Sequence, residues 1–79
     1  MAEAKPSNNN NTIWVVLRPF DEETDVPEVA FTELENAKGY VETLGYKYKY
    51  FDKYDGSYMY KGDEGYKIIY PVSLITRED

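Results

Sequence analysis

The stretch YKYKYFDKYDGSYMYKGDEGYKIIY, Tyr46 to Tyr70, holds eight of the chain's nine tyrosines and five of its nine lysines and arginines. Aromatic rings alternating with ammonium groups can stack bases and neutralise phosphates, as single-strand-binding sheets do. The same stretch also carries Asp52, Asp55, Asp63 and Glu64, which leave it almost no excess positive charge. Affinity for a phosphate backbone comes mostly from charge neutralisation, so direct nucleic-acid binding is not expected. Tyrosine also favours strands, and cross-strand aromatic pairs add about 0.2–1 kcal/mol each to a sheet. The ladder therefore reads mainly as scaffold. An exposed row of rings, Tyr48 and Tyr60 among them, would suit a protein–protein interface.

A second group of residues could do different chemistry. Asp21, Glu22, Glu23, Asp25, Glu28, Glu33 and Glu35 follow one another without an intervening base. Residues 38–79 carry seven acids and seven bases, and residues 1–18 carry one acid and two bases. The net charge of −6 thus resides in this acidic block. A favourable meeting with a helix dipole accounts for Glu33 and Glu35. The other five repel one another and favour no fold, which makes them a candidate surface for a basic partner, with help from Glu42. Carboxylates two apart on an extended chain lie ~6.6 Å apart, and helix neighbours three or four apart lie ~5–6 Å apart. Both spacings are comparable to successive phosphates along a nucleic-acid strand. A folded acidic row of this kind can occupy a DNA-binding protein's basic groove, drawing on the steering and counterion release that normally favour DNA.

Other chemistries are poorly supplied. With no histidine and no cysteine, the usual nucleophilic triads, zinc sites and disulfides are excluded. Asp21, Glu23 and Asp25 have the two-residue spacing of a calcium loop, but Val26 stands where that loop requires glycine. Paired-carboxylate hydrolysis needs a cleft large enough for a sugar, for which so short a chain leaves little room. No metal, no cofactor and no enzymatic activity are expected.

The elements that must position these residues follow from periodicity and turn chemistry. Thr12 to Arg18 reads as a strand with Ile13, Val15 and Leu17 on one face and an apolar opposite face of Trp14 and Val16. Pro19 to Glu28 reads as an exposed loop, and Val29 to Phe31 as a short extended piece. The sequence Thr32, Glu33, Leu34, Glu35 has the form of a capping box. Leu34, Ala37, Val41 and Leu44 then line one face of a helix over 33–44, stopped by Gly45. Tyr46 to Phe51, Tyr58 to Lys61 and Tyr66 to Val72 read as strands separated by Asp55-Gly56 and by Gly62 to Gly65. Tyr46, Tyr48 and Tyr50 are placed on one face, and Tyr66, Ile68, Tyr70 and Val72 on one face of the last strand. Ser73 to Thr76 reads as a final edge piece or a tail.

The expected fold is therefore α+β: one helix packed on a mainly antiparallel four-stranded sheet in the order β-α-β-β-β. Its core would join Leu34, Val41 and Leu44 to Ile13, Val15, Leu17 and Ile68. Residues 1–11 read as a disordered polar leader and 12–79 as a single small domain. The leader lacks the apolar run of a signal peptide, and no window has the length of a membrane span. Together with the absence of cysteine, this sets the expectation of a cytoplasmic protein without a membrane partner. An exposed edge strand leaves room for a homodimer.

A small acidic chain without Cys or His, with a Tyr-rich sheet and the segment DEETDVPEVAFTELE, resembles bacteriophage host-takeover proteins of the DNA-mimic inhibitor type. The resemblance is one of size and charge across residues 12–79. It implies a non-enzymatic inhibitor that acts in the host cytoplasm and competes with DNA for a basic host DNA-binding protein, a histone-like nucleoid protein first. The alternative is a regulator of host RNA polymerase or another host enzyme that acts through the Tyr-rich sheet face.

Overall fold

The computed structural model describes residues 12–73. The polar leader and the segment after Ser73 lie outside the described residues. The elements are β1 (Thr12–Pro19), β2 (Asp25–Phe31), α1 (Leu34–Thr43), β3 (Lys47–Asp52), β4 (Ser57–Gly62) and β5 (Gly65–Ser73). All pairings are antiparallel, and the sheet order is β2-β1-β5-β4-β3. The fold is α+β with one helix on one sheet, but the sheet has five strands in the order β-β-α-β-β-β, not four.

The additional strand is β2, most of which reads in sequence as loop because it contains Pro27 and two acids, Asp25 and Glu28. As an edge strand it tolerates a proline that cannot donate to a ladder. Its pairing with β1 shifts register between Val16 and Leu17, where Val16 faces Val29 and Leu17 faces Pro27. Glu28 is the extra residue of this bulge. A bulge re-aims a side chain and blunts an edge, and the one here sends Glu28 toward the helix.

The core lies on the other face of β1 from the one expected. Val16, Ala37, Val41, Tyr60 and Ile69 are buried, with Trp14, Val29, Phe31, Leu34, Tyr40, Tyr46 and Tyr58 packed against them. Ile13, Val15, Leu17 and Ile68 sit across the sheet, away from the helix. Both faces of β1 are apolar, so alternation alone does not choose between them. The aromatic face won because Trp14 packs with Tyr58, and Phe31 with Tyr40 of the helix.

The helix is shorter than expected and is capped differently. Its N-cap is Glu33 rather than Thr32, and no side chain caps it. Sheet pairing continues to Phe31, so Thr32 is used in the turn before the helix starts. Leu44, expected in the core, is 48% exposed. Gly45, at φ +96°, turns the chain there as anticipated.

Tyr46, Tyr48 and Tyr50 do not share a face. Tyr48 pairs with Tyr60 and Tyr50 with Met59, which leaves Lys49 as an extra residue and moves Tyr50 to the helix-free side. Tyr60, expected among the exposed rings, is buried at 2% exposure against Tyr48. The last strand keeps its expected alternation, with Lys67 and Ile69 toward the helix.

Gly62 lies beneath the ring of Tyr46. A Cβ there would stand 2.8 Å from the ring's Cδ2. Gly62→Ala is expected to displace that ring and destabilise the fold by about 1–2 kcal/mol, read as a lower urea midpoint with an unchanged slope.

Candidate functional site

The acidic block is divided by β2. Asp21, Glu22 and Glu23 form the tip of the β1–β2 hairpin, closed by amides of Phe20 and Asp21 donating to the Thr24 carbonyl at 2.8 and 3.3 Å. The Glu23 amide donates to Asp21 Oδ1 at 2.9 Å. That bond, followed by one from the Thr24 hydroxyl, holds the Asp21 carboxyl below its usual pKa. Asp25 opens β2 and accepts the Tyr66 hydroxyl at 2.8 Å. The length of β2 carries the chain ~20 Å away before Glu33 and Glu35 appear at the start of the helix. Those two form a separate exposed pair, with Lys38 3.9 Å from Glu35.

Glu28 is not on the acidic surface. It accepts hydrogen bonds from the Tyr40 hydroxyl and from Lys67 Nζ, the latter at 2.6 Å. The Lys67 and Glu28 side chains are only 10% and 19% exposed, and Lys67 Nζ also lies 5.1 Å from the centre of the Tyr46 ring. Burial, the largest influence, pushes the Glu28 carboxyl up. Hydrogen bonds from Lys67 and Tyr40 and the charges of Lys67 and Arg18 outweigh it and hold the pKa below its ordinary value. This network ties β2, β5 and the helix together.

The topology adds two acids that lie among lysines in the sequence. Asp63 and Glu64 form the two-residue turn between β4 and β5. A Cβ on Gly65 would come 4.0 Å from Pro19 Cγ, so this turn stands beside the β1–β2 tip. Asp63 and Glu64 also line a cleft with Leu44, Gly45 and Tyr46, at the end of the helix that bears Glu42. Asp21, Glu22, Glu23, Asp25, Asp63 and Glu64 therefore lie at one end of the sheet, with Arg18, Lys47 and Lys61 on the strands that lead to it. Position in the fold, rather than sequence proximity, makes this cluster.

Among the described residues no group of three or more Asp or Glu side chains is placed to hold a metal ion, and no helix is long and apolar enough to cross a membrane. Comparison of the chain with protein-family models, with curated proteins and with solved structures finds no match.

Proposed function

We propose that the protein is a non-enzymatic inhibitor that binds a basic DNA-binding protein of a bacterial host through the acidic end of its sheet and displaces DNA from it. The observation that carries this reading is the convergence of two acidic turns, Asp21 to Glu23 and Asp63 to Glu64, beside Asp25. Carboxylates gathered on neighbouring turns at one end of a sheet add their fields there, which a basic groove would meet. Glu42, at the near end of the helix, adds to this surface, and Glu33 and Glu35 form a second acidic patch at the far end. Glu28 contributes to folding instead.

A histone-like nucleoid protein is the first target to test. Such proteins hold DNA through backbone and minor-groove contacts without reading base sequence, so charge and shape suffice for a decoy. The host cytoplasm is the proposed place of action. The test is competition: a labelled DNA duplex bound to the nucleoid protein should be released as the chain is added. Retention of the duplex at saturating chain would contradict the proposal.

A further inference from the structure

The helix covers only one face of the sheet. On the other face lie Ile13, Val15 and Leu17 of β1, Ile68 and Tyr70 of β5, Met59 of β4 and Tyr50 of β3, all half-buried or exposed. Their counterparts beneath the helix, Val16, Ile69 and Tyr60, are at most 2% exposed. A contiguous apolar surface of this kind on a small protein marks an interaction site.

The face is not flat. Leu17, Met59, Ile68 and Tyr70 line a concavity of about 230 Å³, with Asp25 from one edge strand and Asp52 and Asp55 from the opposite edge also on its wall. None of the residues lining it is basic, although Lys47 and Lys61 share the face beyond it. Among the described residues none of the three carboxylates forms a salt bridge. Asp52 and Asp55 each use one oxygen to accept a turn amide at 2.9 Å, and Asp25 uses one for Tyr66. Asp55 also accepts the Ser57 hydroxyl, and all three carboxylates keep their charge without a basic side chain beside them. The volume is below the ~300–1,000 Å³ of small-molecule sites and matches one or two side chains of a larger partner.

We infer that the helix-free face of the sheet docks an amphipathic basic segment of a partner protein, whose apolar side chains seat over Leu17, Met59 and Ile68 while lysines or arginines on its flanks reach Asp25 on one side and Asp52 and Asp55 on the other. Charge complementarity selects this occupant. An apolar segment flanked by acids meets three carboxylates, and a second copy stacked on this face brings the same acids together on a chain of net charge −6. The inference goes beyond the sheet-end proposal, because the concavity and the acidic turns can be altered separately.

The test is an NMR titration of the full chain with synthetic helical peptides: a leucine stripe flanked by lysines, the same stripe flanked by glutamates, and a scrambled leucine–lysine peptide. The lysine-flanked stripe should shift signals of Leu17, Ser57, Met59 and Ile68 to saturation, and the other two should not. Asp52→Asn with Asp55→Asn keeps the turn-accepting oxygens and should weaken that peptide about tenfold. Met59→Lys should abolish the shifts while leaving the circular dichroism unchanged, and Asp21→Asn with Glu22→Gln and Glu23→Gln should leave them intact. The inference is overturned by equal binding of all three peptides or by shifts confined to residues 21–23 and 63–64. It is also overturned by a concentration-dependent dimer that buries Met59, or by contacts from residues 1–11 or 74–79 to its methyl group.

Discussion

Tyr60→Ala is expected to leave most of the protein unfolded at 25 °C. The side chain is among the largest fully buried ones, packs against Tyr48, and lies on the strand that joins the β3 edge to β5. Truncating a buried aromatic costs about 3–5 kcal/mol. A core in a domain of this size rarely supplies more than about 3–5 kcal/mol in total, so a single such cavity consumes the whole margin. Tyr60→Phe keeps the ring and should change stability by less than about 1 kcal/mol. Urea titrations followed by circular dichroism separate the two. A folded Tyr60→Ala with a near-normal midpoint would mean that the sheet does not depend on this contact.

The second large effect is at Lys67 and Glu28. Lys67→Met strands a half-buried carboxylate between Tyr40 and the sheet and should cost about 2–4 kcal/mol, at or just below the range for breaking a buried pair because Glu28 retains some exposure. Replacing both partners, Glu28→Leu with Lys67→Met, should recover much of that loss, since desolvation no longer has to be offset. The pair also sets an acid limit. Glu28 has a folded pKa below its unfolded value, so its stabilisation is complete above the unfolded pKa of about 4.3 and is lost as pH falls through the folded value. Melting curves of the parent and Glu28→Gln should differ at pH 7 and converge toward pH 3. A gap that persists at low pH would show that ionisation of Glu28 is not what stabilises the fold.

Much of the architecture is legible in the sequence, and the misses have physical causes. The helix stripe Leu34, Ala37, Val41 and the stop at Gly45 were readable because a 3.6-residue period and a left-handed turn leave few alternatives. The two hairpin turns of the tyrosine region were readable from Asp55-Gly56 and from Gly62 to Gly65. The strand β2 was hidden because proline and clustered acids look like loop, yet an edge strand with a bulge accepts both. The inward face of β1 was ambiguous because Ile13, Val15 and Leu17 compete with Trp14 and Val16, and only the helix decides which set it covers. Bulges at Glu28 and Lys49 each break a two-residue period that counting takes as continuous.

The acidic site was legible only in part for a related reason. Asp21 to Asp25 are neighbours in sequence and remain neighbours in space. Glu33 and Glu35 are near them in sequence but lie a strand's length away. Asp63 and Glu64, far along the chain, are brought beside the tip by antiparallel pairing of β1 with β5. The tyrosine ladder likewise divides into rings that seal the core and rings, Tyr50 and Tyr70, that face away from the helix.

The salt dependence of binding to a histone-like nucleoid protein tests the central proposal most directly. Affinity of the parent chain should fall log-linearly as salt rises. A variant combining Asp21→Asn, Glu22→Gln, Glu23→Gln, Asp63→Asn and Glu64→Gln should lose both the binding and its salt slope while melting as the parent does. Binding that is insensitive to salt, or that survives these five neutralisations in a folded variant, would contradict it.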